Sequence, residues 1–364
     1  MAPKRAFVAQ SDAMNPGHQN LRARVFRMKE ENEAPLGWFG IDQSEHQIIK
    51  LRQSLKAQPG IEGLVLFDPD DLDGIRSAFL RDGFAMVQNM LDSEAVARLH
   101  AGCLRVIREI LERDPLARGN RGSHRYSFGS VSRTDAQLHQ VEWVELLQLP
   151  ALNSIIEHIF GGPDFIVRSG GGDFCLPGAI DYQPLHSDMS DQRQIQLGPN
   201  KTLLIGSFSD PSQKMTYRDL PCPYISCNFL TTDWHAENGP IRQIPGTQNS
   251  RAPMPDLESE PGWMKASRVY PAPAGSVILR DVRAWHGGTP NVSQEVRAIP
   301  NVEYFAPWYR EPLVKSLPRE LFNTLPSDVQ ERCRFIVEEP DAPLQLGYRK
   351  SLGGTPENSR SRPS

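Results

Sequence analysis

Two short segments that carry histidine most constrain the fold of this 364-residue chain. One reads Gln-Pro-Leu-His-Ser-Asp at 183–188, and the other, about a hundred residues later, reads Trp-His-Gly-Gly-Thr-Pro at 285–290. Together they offer two imidazoles and one carboxylate from His186, Asp188 and His286, the ligand set of a non-haem Fe(II) site with open coordination positions. A fold that uses this set must bring two distant parts of the chain to one point.

The spacing of the first two candidate ligands fits a β-strand. Side chains at positions i and i+2 of a strand point to the same face, so His186 and Asp188 can bind one metal ion from a single inward-facing strand. The third ligand must come from another part of the chain, and His286 is the candidate. The sequence therefore predicts a metal site between two strands.

Context selects this pair, because the spacing alone is common. With 9 histidines and 44 acidic residues in the chain, roughly one His-x-acid pair is expected by chance. A second pair, His235 and Glu237, stands just before an Asn-Gly-Pro sequence typical of an exposed turn. His186 instead follows a segment that can form a strand, so we assign the metal to His186 and place His235 at the surface.

An arginine follows the distal histidine at a spacing of eleven residues. Arg297 lies at the start of the apolar run 296–305, and turn-forming residues separate it from His286. A strand–turn–strand arrangement would bring Arg297 back towards the metal. Its planar guanidinium can hold a carboxylate through two charge-assisted hydrogen bonds, so metal and arginine together suit a small dicarboxylate cosubstrate.

Three motifs occur in order along the chain. They are His-Ser-Asp at 186–188, a segment that runs from Asn-Gly-Pro at 238–240 to Pro-Gly-Thr-Gln at 245–248, and Trp-His-Gly-Gly at 285–288 with Arg297 beyond it. In this order the sequence resembles the phytanoyl-CoA dioxygenase family over roughly residues 75–310. One position departs from the pattern, since many members have Ser two residues after the distal histidine, where this chain has Gly288.

The resemblance implies a mainly β fold with flanking helices and a double-stranded β-helix core of the jelly-roll, cupin-like kind. It implies an Fe(II)- and 2-oxoglutarate-dependent dioxygenase that uses O2 to oxidise a C–H bond of a small organic substrate, by hydroxylation or desaturation. Succinate and CO2 would be released, and ascorbate would serve as reductant in vitro. The three ligands named above would be the catalytic and metal-binding residues. Arg297 would bind the far carboxylate of 2-oxoglutarate, with Thr289 and Gln183 as further cosubstrate contacts.

Candidate substrate contacts lie on segments next to this site. The loop 114–135 is rich in Arg, Gly and Ser, and its Arg125 and Tyr126 are predicted to face the substrate. Arg168 and Trp234 are further candidates, and arginines would suit an anionic substrate. The family does not define the substrate, because function depends on the site rather than on the fold.

Composition narrows the class of protein. A net charge of −4 gives no basic excess for nucleic acid, and 31 prolines with 28 glycines favour short strands and loops over a helical bundle. No apolar run approaches transmembrane length, and the first residues lack a signal-peptide pattern. Five cysteines without a framework spacing predict reduced thiols and a cytoplasmic location. A small-molecule substrate is the partner that the family resemblance implies.

Periodicity and capping residues predict the elements around the site. Helices are expected at 70–83 with a glycine stop, from Asp92 or Ser93 to about Pro115, at 141–160 with a break near Pro150, and at 327–339. Strands are expected at 84–87, from Phe165, and at 182–188, 202–208, 223–231, 241–245, 276–280 and 296–305. The three glycines at 170–172 are interpreted as a turn.

These elements suggest four parts of the chain. They are an N-terminal extension at 1–65, the dioxygenase domain at 66–312, a C-terminal helical segment at 313–352, and a Ser/Pro/Arg-rich disordered tail at 353–364.

Two other classes of function stay open on the sequence alone. Zinc also takes two histidines and a carboxylate, which would suit a metal-dependent hydrolase or isomerase on the same barrel. A non-catalytic protein of this fold would bind 2-oxoglutarate or metal without turnover. Arg297 favours iron with 2-oxoglutarate, and dependence of activity on oxygen separates these alternatives.

Overall fold

Strands that pair mainly antiparallel form the framework of the protein. The structure is a computed structural model that describes residues 35–189, 193–198, 201–205, 214–350 and 352. Within these ranges the strands are β1 (Leu66–Phe67), β2 (Phe84–Val87), β3 (Arg125–Ser127), β4 (Ile166–Cys175), β5 (Arg193–Gly198), β6 (Lys201–Ile205), β7 (Tyr224–Phe229), β8 (Arg242–Gln243), β9 (Val277–Asp281), β10 (His286–Gly287) and β11 (Arg297–Phe305). The helices are α1 (His46–Ala57), α2 (Leu72–Asp82), α3 (Ser93–Leu111), α4 (Phe128–Val131), α5 (Val141–Leu146), α6 (Pro150–Phe160), α7 (Gly262–Ala266), α8 (Arg319–Phe322) and α9 (Ser327–Cys333).

A seven-stranded sheet forms the larger layer, with the strand order β1-β2-β9-β7-β11-β4-β3. The pair β1 and β2 is parallel, and the other neighbours are antiparallel. β11 is central, because β4 pairs along its whole length on one side and β7 pairs on the other. Every residue of β7 is buried, as the apolar run at 223–231 predicts for a strand covered on both faces.

A smaller layer carries the histidine segments. β8 and β10 pair antiparallel, with His286 opposite Gln243. Single bridges extend this layer from His286 to His186 on one side and from Arg242 to Arg268 on the other. The chain thus presents its two histidine motifs side by side, although they are far apart in sequence.

The two layers enclose an apolar core. The cluster combines side chains of the large sheet, such as Phe84 and Ile278, with Trp234, Ile241 and Val269 from the smaller layer. Face-to-face packing of two such layers, with helices outside, is the predicted jelly-roll core, and this prediction of the fold class is confirmed.

The predicted helix ends on the N-terminal side agree with the structure. The Asp71 side chain accepts a hydrogen bond from the Gly74 N–H at the start of α2, and Gly83 ends that helix in the left-handed conformation with φ 79°. The Asp92 side chain caps α3 in the same way. The predicted break near Pro150 separates α5 from α6, and Pro150 is the first residue of α6.

Three predictions of local structure were wrong. Residues 182–188 form a single bridge at His186 instead of a strand, since Pro184 has no N–H to donate to a ladder. Residues 170–172 lie inside β4 rather than in a turn. At Gly172 of β4, φ is 95° and an added Cβ would lie 2.0 Å from the Ile299 carbonyl oxygen of β11. The close approach of these two strands therefore requires glycine at 172. The last predicted helix ends early, at Cys333, whose carbonyl accepts from the Ile336 N–H.

Some other predictions fall partly or wholly outside the described residues. The strand predicted at 202–208 corresponds to β6, and its last residues lie outside the described ranges. The tail at 353–364 and residues 1–34 of the predicted extension at 1–65 also lie outside the described ranges. By its contacts, the chain from Gly37 onward forms one unit. No helix in the described part of the chain has the length and apolar character needed to span a membrane.

Candidate metal and cosubstrate site

The two histidine motifs meet through backbone hydrogen bonds. The N–H groups of His186 and His286 each donate to the other residue's carbonyl at 2.9 Å, and the Asp188 N–H donates to the Val282 carbonyl at 2.8 Å. These bonds bring one ligand atom from each of His186, Asp188 and His286 within 4.8 Å of one another. The structure therefore groups the three side chains that the sequence suggested.

Backbone carbonyls fix the orientation of both imidazoles. Nδ1 of His186 lies 3.1 Å from the Pro184 carbonyl oxygen, and Nδ1 of His286 lies 3.1 Å from the Ala284 carbonyl oxygen. A carbonyl accepts, so Nδ1 carries the proton in each ring and Nε2 keeps a lone pair. Metal-binding histidines in proteins are oriented by this kind of contact. The site thus offers two Nε2 lone pairs and a carboxylate, which fits a divalent metal ion.

The electrostatics keep these groups in the form that a metal needs. Burial lowers the pKa of both imidazoles, and for His286 the neighbouring Arg280 lowers it further. Burial acts to raise the pKa of the Asp188 carboxyl, but the neighbouring Arg280, His286, His186 and Arg121 together outweigh it and the pKa is lowered. Neutral imidazoles beside an ionised carboxylate are the protonation states of metal ligands.

Arg280 is a site residue that the sequence reasoning missed. Its Nη2 lies 2.8 Å from Oδ2 of Asp188, and its Nη1 contacts Nε2 of His286. Alternation along β9 places Arg280 on the same face as Ile278, which lies in the core between the layers. A charged residue directly after the apolar run 277–279, within the predicted strand 276–280, was the available signal.

The predicted cosubstrate contacts fall into two groups. Arg297 is buried, its Nε donates to the Gly239 carbonyl at 2.9 Å, and its Nη1 has no hydrogen-bond partner among the described residues. The other two have partners within the protein, and their contacts with the cosubstrate stay predictions. The Thr289 hydroxyl donates its one proton to the Pro240 carbonyl at 2.6 Å. The Gln183 amide accepts from the Gly288 N–H and donates to the Arg121 carbonyl, so it joins two loops.

Arg125, which the sequence placed with the substrate, approaches Gly288 and the Thr289 carbonyl. Its Nη2 donates to the carbonyls of Thr289, at 2.6 Å, and Asp181, at 2.8 Å. Its Nη1 is buried without a partner among the described residues, as is Nη1 of Arg297. Burial lowers the pKa of Arg297, and the nearby charge of Arg125 lowers it further. Two buried cations with unused donors therefore lie close together.

Gly288 leaves the space that Arg125 uses. A Cβ added at Gly288 would lie 2.5 Å from Nη1 of Arg125 and 2.6 Å from Oε1 of Gln183. Both distances are too short for non-bonded atoms, so a side chain at 288 would displace these groups. Gly288, where this chain departs from the family pattern, is therefore the residue whose backbone the Arg125 guanidinium approaches.

A polar strip continues along the inner face of the large sheet. The Asn301 Nδ2 donates to the Ser226 hydroxyl at 3.0 Å and to Oε1 of Glu303 at 3.3 Å, and Arg168 pairs with the other carboxylate oxygen of Glu303. Arg168 also lies over the Tyr224 ring, 4.7 Å from its centroid. The side chains of Arg168 and Glu303 are 27% and 14% exposed, so this strip reaches solvent.

Two predicted substrate contacts are core residues instead. Tyr126 is fully buried, its ring stacks on Phe174 at 4.6 Å, and its hydroxyl donates to Asp114 at 2.7 Å. Trp234 packs in the apolar cluster between the layers and is 1% exposed. Neither side chain is open to a substrate, so these two predictions were wrong. The competing pair behaves as expected, since His235 is half exposed and lies 3.8 Å from Glu295 at the surface.

A jelly-roll core that holds two histidines and a carboxylate, with an arginine eleven residues after the second histidine, defines a non-haem iron oxygenase of the 2-oxoglutarate-dependent class. The family model described as "Phytanoyl-CoA dioxygenase (PhyH)" matches residues 79–299. The chain belongs to this family. Its cofactor is Fe(II), and its cosubstrates are 2-oxoglutarate and O2.

Three solved structures illustrate the similarity of fold. AviO1 from Streptomyces viridochromogenes Tue57 is 21% identical, with 66% of this chain and 97% of that chain covered and a TM-score of 0.44. SnoN, a non-haem α-ketoglutarate-dependent epimerase from nogalamycin biosynthesis, is 18% identical, with 65% and 82% covered and a TM-score of 0.45. HygX from Streptomyces hygroscopicus, solved with nickel, 2-oxoglutarate and hygromycin B, is 16% identical, with 65% and 88% covered and a TM-score of 0.43.

Proposed function

We propose that His186, Asp188 and His286 bind the iron of this oxygenase. The observation that carries the proposal is the convergence of their ligand atoms within 4.8 Å, with both Nδ1 atoms facing backbone carbonyls. Bound there, Fe(II) would supply the activation of O2 that couples decarboxylation of 2-oxoglutarate to oxidation of a C–H bond. The protein supplies the ligands and their orientation.

We further propose that Arg297 and Arg125 together bind the far carboxylate of 2-oxoglutarate. Each has a buried Nη1 without a partner among the described residues, and the Arg297 Nε is already fixed by the Gly239 carbonyl. A buried unpaired donor is costly, and a carboxylate between two guanidinium groups would satisfy both. In this proposal Arg125 acts in place of the serine hydroxyl that many relatives have two residues after the distal histidine.

The substrate that suits this site is a polar small molecule with a negatively charged group. Arg168, Glu303 and Asn301 supply donors and acceptors on the inner face of the sheet. Tyr224 packs in a buried cluster that includes Met189, the residue after Asp188, and burial raises the pKa of its phenol. Arg168 is the partly exposed cation of this strip and is the proposed contact for the anionic group.

The experiment that tests the proposed function measures succinate release from purified protein with Fe(II), ascorbate and 2-oxoglutarate, in air and under nitrogen. Asp188→Ala should abolish oxygen-dependent succinate, because the metal loses its carboxylate ligand. Asp164→Ala, the same change at an exposed site, is the matched control and should keep wild-type turnover. Equal succinate from wild type and Asp188→Ala would contradict the assignment, and turnover under nitrogen would indicate a hydrolase or isomerase.

We also propose a reducing, cytoplasmic location. All five cysteines lie in the described ranges, and each is buried and unpaired, the usual state in a compartment that keeps thiols reduced. Fractionation of the source cells followed by immunoblotting tests this location, and recovery in an oxidising compartment would contradict it.

A further inference from the structure

The guanidinium of Arg280 contacts two of the three proposed metal ligands, Asp188 and His286. It contacts a carboxylate oxygen of Asp188 at 2.8 Å and the Nε2 atom of His286. Because Nδ1 of His286 faces the Ala284 carbonyl, Nε2 has the lone pair that accepts this hydrogen bond. The guanidinium therefore uses lone pairs that a metal ion would need.

The fold holds Arg280 in this place. β9 is paired on both sides, with Arg280 opposite Phe84 of β2 and opposite Ser226 of β7. The side chain is 7% exposed, and its Nε has no hydrogen-bond partner among the described residues. Within those residues Asp188 is the acid that lies within ion-pair distance of Arg280. The buried guanidinium is thus neutralised by a metal ligand.

We propose that Arg280 is a positioning residue that holds Asp188 and His286 in the metal-free protein and is displaced when the metal binds. This inference rests on the proposed function, because it takes these two residues as ligands. Among the described residues Arg280 is the guanidinium that lies within ion-pair distance of the Asp188 carboxylate, so it compensates the charge of that group in the absence of a metal. The same contacts oppose metal binding, since the metal and the guanidinium compete for one set of lone pairs.

The test is metal affinity in the full chain after its metal has been removed with a chelator. Arg280→Met removes the cation but keeps a long apolar stem, and Ni(II) titrated under nitrogen is the probe. We expect the Kd for Ni(II) to fall by about tenfold, because metal entry no longer breaks a charge-assisted hydrogen bond. We also expect a lower Tm for the metal-free variant and a larger rise in Tm on adding Ni(II) than in wild type. Weaker or unchanged binding would overturn the proposal.

Two further variants separate competition from other effects. Arg76→Met makes the same change in net charge at an exposed site on α2 and should keep wild-type affinity. A gain as large in Arg76→Met as in Arg280→Met would also overturn the proposal. Arg280→Lys keeps the charge but offers one nitrogen instead of a fork, so its affinity should lie between those of wild type and Arg280→Met. If the Met variant does not fold, tighter binding by the Lys variant supports the proposal and wild-type affinity rejects it.

His286→Ala distinguishes failure of this inference from failure of the proposed function. If Ni(II) binds His286→Ala as tightly as wild type, the metal site lies elsewhere and both proposals fail. If binding needs His286 but does not tighten in Arg280→Met, the metal site stands and the role of Arg280 is rejected.

Discussion

At the scale of single residues, the pair Arg125 and Arg297 illustrates how a ligand can be inferred from unused donors. Both side chains are buried, and both present an Nη1 without a partner among the described residues. Two cations held close together are unfavourable unless an anion lies between them. In the proposed site a dicarboxylate cosubstrate would supply that anion, and the metal would bind its other end.

Removing either arginine should weaken binding of 2-oxoglutarate more than it slows turnover at saturation. We expect Arg297→Met and Arg125→Met each to raise the KM for 2-oxoglutarate roughly ten- to a hundredfold, the loss of one charge-assisted hydrogen bond. The double variant should lose less than the sum of the two, because both arginines contact one carboxylate. The readout is succinate formation against 2-oxoglutarate concentration.

Arg118→Met is the control for this series, since Arg118 is an exposed arginine of the same loop. It should have the wild-type KM. A wild-type KM in Arg125→Met would return Arg125 to the substrate side of the site, and additive losses in the double variant would mean that the two arginines bind different groups.

The sequence predicted the metal-ligand group but not the directions of neighbouring side chains. His186, Asp188 and His286 could be found because spacing and motif order are properties of the chain itself. The bond of the Thr289 hydroxyl to Pro240 and the approach of Arg280 to the metal position depend on partners from other strands. Such contacts are set by register and by close approach of the backbone, which a single sequence does not specify.

At the scale of secondary-structure elements, a buried ion pair joins β8 to the segment before α7. Nη1 of Arg242 lies 2.7 and 2.8 Å from the two carboxylate oxygens of Glu260, and neither side chain is exposed. Nη2 of Arg242 donates to the Gln183 carbonyl at 2.6 Å. This arginine therefore links the smaller layer to the segment that leads to His186.

Neutralising this acid should destabilise the fold. Glu260→Gln keeps the size of the side chain but leaves the buried charge of Arg242 uncompensated, and we expect a loss of about 3 kcal/mol in the free energy of unfolding. Urea denaturation followed by circular dichroism measures it. Glu258→Gln, at an exposed position of the same segment, should change stability little. Equal midpoints for the two variants would show that the pair contributes nothing.

Elements with local stop and start signals were predictable, whereas those made by long-range pairing were less so. The capped helices α2 and α3 agree with the sequence because the cap and the helix are neighbours in the chain. The segment 182–188 forms only the bridge to His286, because Pro184 interrupts the ladder. The apolar spacing on which the strand was predicted does not take this proline into account. The stretch 170–172 lies in a strand because β11 fixes it there.

At the scale of the whole molecule, residues before the matched family segment are part of the packed structure. Arg268 is fully buried, and its guanidinium donates to the carbonyls of Leu55, at 3.0 Å, and Gln58, at 3.1 Å. The Trp38 indole N–H donates to the Ser293 carbonyl at 3.0 Å. We propose on this basis that the functional domain begins before residue 66, the boundary expected from the sequence.

A chain that starts at residue 66 should therefore be unstable. It would leave the buried Arg268 without two of its acceptors, and we expect a loss of at least about 3 kcal/mol in the free energy of unfolding. A chain that starts at residue 35 keeps these contacts and is the matched control. Thermal melts of both fragments against the full chain test this prediction, and an unchanged Tm for the shorter fragment would support the boundary at 66.

The close approach of Arg125 to Gly288 has a consequence for the evolution of this family. A side chain at 288 would require the Arg125 guanidinium and the Gln183 amide to shift, so we expect substitutions at these two distant positions to be correlated among homologues. Homologues with serine at the position of Gly288 are expected to lack arginine at the position of Arg125. Ancestral sequences between the two states are expected to combine glycine at 288 with a residue smaller than arginine at 125. In such a protein the proposed carboxylate site would lack the donors of one guanidinium.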